Sequence, residues 1–125
     1  IVFCLDRIQV FRLSSHTFEY PEDFDPQEYF NGCIGVITGE ECGIEKVKIK
    51  VSAGQANYLR DLPMHESQQE SERTDSYSIF ELQVRPTFDF QQELLWNGED
   101  MEVIEPIWLR REIAGKVKRM WNKYK

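Results

Sequence analysis

No stretch of this chain approaches the roughly 18 consecutive apolar residues that a membrane-spanning helix needs, so no membrane partner is expected. Cysteine is scarce. Cys4, Cys33 and Cys42 are an odd number without regular spacing, which argues against a disulfide framework. There is no C-x-x-C pair, and His16 and His65 are too far apart to form a ligand pair, so no metal and no cofactor are expected. Unpaired thiols suit a reducing compartment, and a cytoplasmic location follows as an expectation. The opening run Ile1-Val2-Phe3-Cys4-Leu5 already reads as strand and carries no basic leader; Ile1 is expected to lie inside a longer protein.

What remains is ordinary globular material. The 125 residues suffice for about one domain, with 41% hydrophobic and 30% charged side chains. The net charge of −7 is unevenly spread. Residues 1–42 hold two basic and eight acidic groups, and residues 43–105 hold six basic and thirteen acidic groups. Residues 106–125 reverse the sign, with seven basic groups against one acidic. Acidic surface repels phosphate, so only the last segment is a candidate for touching nucleic acid.

The pattern along the chain predicts the elements. Residues 1–13 are rich in Ile, Val, Phe and Leu and read as one or two strands, with Asp6 and Arg7 turned to water or a partner. Residues 14–42 read as a linker packed by Phe18, Phe24, Tyr29 and Phe30. In it, Asp25-Pro26 opens a short helix over 26–31, and Gly32, Gly35, Gly39 and Gly43 make a flexible passage. Strict alternation over Lys46–Val51 predicts a half-buried strand with Val47, Ile49 and Val51 inward. Ser52-x-x-Gln55 has the form of a capping box and starts a helix over 53–61, which Pro63 stops. An edge strand is expected over 65–70, a hairpin turn over 71–76, and a strand over 77–84. A second helix, capped by Thr87 or Asp89, turns Phe90, Leu94 and Leu95 inward and stops at Gly98; Met101–Ile104 is a short strand. Pro106 then opens a last helix with Leu109, Ile113, Val117, Met120 and Tyr124 at helical spacing. From residue 44 the order is β-α-β-β-α-β and a helix, the split βαβ order of an α+β, ferredoxin-like domain with both crossover helices on one sheet face.

Several segments, in this order, resemble one family. Phe3-x-Leu5-Asp6-Arg7-Ile8 resembles the strand that closes a WYL domain, and Phe18-x-x-Pro21-x-x-Phe24-Asp25, Tyr29-Phe30 and Gly35-Val36 resemble the segment leading out of it. Met64-His65-Glu66-Ser67-Gln68 and Gly98-x-x-x-Glu102-Val103-Ile104-Glu105-Pro106-x-x-Leu109-Arg110 resemble the strand and the ending of the WYL C-terminal extension, the WCX domain. Ile1 and Cys4 stand where the family often has arginine, and the Trp-Tyr-Leu signature is not in this sequence. The resemblance implies a bacterial transcription regulator. Residues 1–13 would be the last strand or strands of an SH3/Sm-like WYL β-barrel, 14–42 a linker, and 43–125 the extension domain. It further implies a homodimer, DNA binding through a winged helix-turn-helix upstream, and a nucleic-acid effector such as single-stranded DNA, without enzymatic activity.

Two arginines are the candidate ligand contacts. Arg7 can pair with phosphate through its planar fork, or simply with Asp6 or another nearby carboxylate. Arg110, beside Arg111, lies in the first turn of the last helix, where the helix dipole disfavours a cation; Glu105, Asp100 or a bound phosphate would compensate it. The basic run from Arg110 to Lys125, flanked by Trp108 and Trp121, suits single-stranded nucleic acid, a dimer seam, or a solvated face whose tryptophans pack on the sheet. His65 and Ser67 read as a hydrogen-bonded structural pair rather than base and nucleophile, since no third member has the spacing. Cys33 and Cys42 read as small apolar residues or free thiols. Glu99-Asp100 reads as a solvated turn. Two other roles compete with ligand sensing: a purely structural dimerisation module and a ferredoxin-like domain for a small metabolite.

Overall fold

The computed structural model describes residues 4–35 and 42–125. Its elements are α1 (Pro26–Tyr29), β1 (Glu45–Ser52), α2 (Ala53–Asp61), β2 (Gln69–Arg73), β3 (Tyr77–Val84), α3 (Phe88–Trp96), β4 (Met101–Glu105) and α4 (Ile107–Tyr124). The strands form one antiparallel sheet in the order β2-β3-β1-β4. This is the ferredoxin-like arrangement: the first and third strands are central, and two crossover helices cover one face.

The period-2 alternation decides which face is covered. Val47, Ile49 and Val51 of β1 are fully buried, as are Phe80, Leu82 and Val84 of β3. Ala56 and Leu59 of α2, Phe90 and Leu94 of α3 and Val103 of β4 complete that core. The opposite face is a lattice of charge. Lys46 and Lys48 reach Glu81 at 3.2 and 3.5 Å, and the Lys50 ammonium sits 4.4 Å from the Tyr77 ring centre. A face of that kind can meet water without exposing apolar surface.

Local chemistry sets the helix ends. Ser52 Oγ accepts from the Gln55 N–H at 3.4 Å and starts α2. The capping box is only half formed, because Gln55 Nε2 donates to Asn97 Oδ1 at 2.9 Å instead of returning to Ser52. That side chain ties α2 to the end of α3. Asp25 caps α1, accepting from the Gln27 N–H at 2.9 Å. Thr87 holds the cap position of α3 but makes no capping bond; its hydroxyl is buried, with no hydrogen-bond partner among the described residues. Within α3, Gln91 rather than Leu95 joins Phe90 and Leu94 in full burial. Gly98 ends the helix at φ 58, a left-handed conformation that glycine adopts without strain.

Three expectations change. Residues 4–13 form no strand, only a single 3-10 turn at Leu5–Arg7, and every described residue from Cys4 to Asn31 is exposed. A strand needs a ladder partner for its N–H and C=O groups, and this segment meets none. Residues 1–3 of that strand, and Val36 and Gly39 of the glycine passage, lie outside the described residues. The edge strand starts at Gln69 rather than His65, because side chains capture the backbone before it. His65 Nδ1 accepts from the Ser67 N–H at 3.1 Å, and the Gln68 amide bridges Met64 N and Leu59 O. Such bonds compete with a strand ladder. Finally, the apolar stripe of α4 is not a core stripe. Leu109 is buried and Ile113 packs on the core, but Val117, Met120 and Tyr124 are 50%, 49% and 87% exposed.

Candidate functional site

The last helix combines what the rest of the chain lacks. The turn at Glu105–Pro106 folds α4 back beside β4, and Leu109 anchors it. Beyond Ile113, most of the helix's apolar and basic side chains are exposed. Two grooves flank it. One, toward β4, is lined by Met101, Val103, Ile113, Val117 and Trp121, with Arg110 at its rim. The other, toward α3, has a floor of Leu95, Trp96 and Met120 and a wall of Lys116, Arg119 and Lys123. Lys116 donates to the Gln91 side-chain oxygen and lies 5.7 Å from the Phe88 ring centre. Of the two tryptophans of α4, Trp121 is 64% exposed and lines the groove toward β4, and Trp108 donates its Nε1–H to Glu45 of β1 at 3.2 Å.

Arg110 has its compensating partner, but not the expected one. Its Nη1 donates to Glu102 Oε1 at 2.7 Å and to the Val103 carbonyl at 2.6 Å. Glu102 lies on β4, alongside which the first turn of α4 is laid back. Asp100 instead accepts from the Ser52 hydroxyl at 2.8 Å. Both Arg110 and Glu102 remain about half exposed, so the pair is open to a competing anion. Arg7 is exposed on its 3-10 turn, and neither Asp6 nor any other described carboxylate forms a salt bridge with it. The described residues do not bring Arg7 and Arg110 together.

His65 and Ser67 are a structural pair. Their Nδ1 and Oγ lie 2.8 Å apart, and Ser67 Oγ also accepts from the Gln83 N–H at 2.9 Å and donates to the Gln83 carbonyl at 3.3 Å. A side chain thereby extends the β2–β3 ladder past the end of the strand.

Two arginines outside the expected site do more for the architecture. Arg60 forks onto Glu70 at 2.7 and 3.0 Å, and both contact the buried Ser78 hydroxyl. The Arg60 hydrogen bond holds the Glu70 carboxyl below its ordinary range. A lowered folded-state value stabilises above the unfolded value of about 4.3 and is lost as pH falls through the folded one. Glu70→Gln should therefore melt lower than the native chain near pH 7, with the gap closing toward about pH 3. A gap independent of pH in parallel thermal melts would refute this linkage.

Arg85 is the second. Its guanidinium donates to the Asn31 carbonyl at 3.2 Å and the Cys42 carbonyl at 2.6 Å, while its own N–H donates to Gly32 O at 2.8 Å. One residue thus pins both described ends of the glycine passage to the sheet. Gly32 holds φ 75 there, and a Cβ on it would stand 3.0 Å from Ile44 Cγ1. Cys42, beside it, has its thiol pushed up by burial and then by Glu45, which keeps it protonated and weakly reactive. A lone arginine after a strand carries no sequence signal for this role. The glycines around it were the only pointer.

The fold and the exposed helix define a class: a small ferredoxin-like module with a C-terminal helix that carries exposed apolar and basic side chains. The family model for the WCX domain matches residues 44–121, more than half of the chain. The chain belongs to the WCX family, which marks it as the extension of a WYL-family regulator. No curated protein matches it.

Proposed function

We propose that this chain is the ligand-sensing and dimerisation region of a bacterial WYL-family transcription regulator, with DNA contacted by a winged helix-turn-helix upstream. Residues 1–13 would supply the closing strand of the WYL barrel; residues 4–13 are exposed and meet no ladder partner among the described residues, which supports that reading. The single observation that carries the proposal is the WCX match, joined to an α4 arm whose apolar side chains beyond Ile113 are about half or more exposed. A ligand at the barrel would change how the two halves of a dimer sit and so change operator affinity. The effector is of nucleic-acid type: Arg7 contacts a phosphate, and Arg110 does so second by exchanging Glu102 for the phosphate.

Fluorescence anisotropy of the full-length regulator on a labelled duplex from its own promoter, with and without a short single-stranded oligonucleotide, tests this. The oligonucleotide should change duplex affinity, and Arg7→Ala should weaken oligonucleotide binding about tenfold, the size of one charge-assisted contact. Unchanged oligonucleotide affinity would remove Arg7 from the site, and absence of duplex binding would remove the regulator reading. The second reading, a dimerisation module without ligand contacts, is favoured by the exposed Trp121 and Tyr124; duplex binding indifferent to the oligonucleotide would select it.

A further inference from the structure

Two exposed segments of this chain are complementary. Residues 18–30 hold five acidic side chains, no basic ones and five aromatics. Residues 106–125 hold seven basic side chains and one acidic. The acidic segment lies outside the core, and so does the basic one apart from Leu109 and Ile113. Phe18 and Tyr20 are 84% and 61% exposed, and every described residue of the acidic segment faces water.

The acidic segment is preorganised. Tyr20, Phe24, Tyr29 and Phe30 form a chain of ring contacts with centroids 6.2, 5.5 and 5.0 Å apart. Pro21, Pro26 and the Asp25 cap restrict the backbone that carries them. The result is a small aromatic cluster rimmed by Glu19, Glu22, Asp23 and Glu28. The groove between α3 and α4 is its counterpart, lined by Leu95, Trp96 and Met120 and by three cations, with no carboxylate in its lining. Lys116, Arg119 and Lys123 follow one another along one side of α4, about 4.5 and 6 Å apart along the axis at 1.5 Å per residue. That spacing suits a short peptide segment whose carboxylates alternate with rings.

We propose that the α3–α4 groove receives the acidic aromatic segment 18–30 of a second copy of this chain. The inference rests on the dimer reading above and names the surfaces that make the dimer. Charge favours this occupant over single-stranded nucleic acid. Residues 43–105, the rest of the domain, carry thirteen acidic groups against six basic, a net charge that repels a long polyanion. The peptide brings its charge only at close range, together with rings to bury. Reciprocal insertion makes two such contacts per dimer, the self-complementary pattern of a two-fold assembly.

Charge exchange tests it on the whole 125-residue chain. Sedimentation would compare the native chain, R119E/K123E, E22K/D23K and the four-fold combination, with circular dichroism confirming each fold. The native chain should be dimeric at tens of micromolar. Each reversal alone should weaken self-association about tenfold or more, and the combination should recover most of that loss. Rescue by the combination is a result that misfolding does not produce. A dimer unaffected by either reversal overturns the docking while leaving the dimer standing. A native chain that is monomeric throughout overturns the dimer reading itself, and the docking with it. Oligonucleotide binding that R119E/K123E abolishes, in a dimer that does not weaken, makes the groove a nucleic-acid site and overturns the proposal.

Discussion

Leu109→Ala will loosen α4 from the sheet before the sheet itself opens. Leu109 is the one residue of this 18-residue helix that is buried. Truncating a buried leucine costs about 2–5 kcal/mol, from lost transfer energy and the cavity left behind. The rest of the helix is tied by polar contacts, Trp108 to Glu45, Arg110 to Glu102 and the Val103 carbonyl, and Lys116 to Gln91. Ile113 is partly covered, and the Arg110–Glu102 pair is half exposed, the kind of ion pair that contributes about 1 kcal/mol or less. A helix of this length has little stability of its own once its packing is gone. Hydrogen exchange should show amide protection in α4 falling about 30-fold or more, with β1 and β3 changing less. Equal loss across helix and sheet would show that α4 belongs to the same cooperative unit as the core.

Phe80→Ala will destabilise the whole domain. Phe80 lies in β3, between β2 and β1, at 1% exposure, and it is among the largest fully buried side chains. Removing a buried phenylalanine costs about 3–5 kcal/mol. That is a large share of the roughly 5–15 kcal/mol by which a domain is stable. Urea unfolding should show a lower midpoint with an unchanged slope, because the same surface is exposed in both proteins. A shift equivalent to less than about 1 kcal/mol would mean that the site repacks, and that the core is looser than its burial implies.

The contrast between these two variants separates the module from its arm. The core is built on a sheet in which β1 pairs with both β3 and β4, and β3 also with β2, so a loss there is global. The arm is held over its first half, as far as Lys116, and is exposed beyond it. If α4 docks on a second copy, its protection should depend on protein concentration, while that of β1 should not.

Much of this arrangement was readable before the structure. Val47, Ile49 and Val51 alternate with lysines, and a period of two has one meaning in a chain that must bury apolar surface. Ser52 placed the start of α2, Gly98 the stop of α3 and Pro106 the start of α4, each by chemistry local to a few residues. The resemblance in Met64–Gln68 and Gly98–Arg110 pointed to the family that the match over 44–121 shows.

The failures share a cause. The stretch at 4–13 looks like strand because its side chains favour one, but a strand is a relation between two segments, and propensity does not supply the second. The start of β2 moved because His65, Ser67 and Gln68 bond to backbone groups, which composition does not reveal.

Local residue chemistry and period by themselves therefore determined where the domain's helices begin and end, which face of β1 is buried, and the order of its elements. Tertiary structure alone decided that Arg110 answers to Glu102, that Arg85 grips carbonyls 54 and 43 residues away, and that the stripe on α4 faces outward. An amphipathic period states that a helix has an apolar side. It carries no information about which surface, in this chain or in another copy, that side meets.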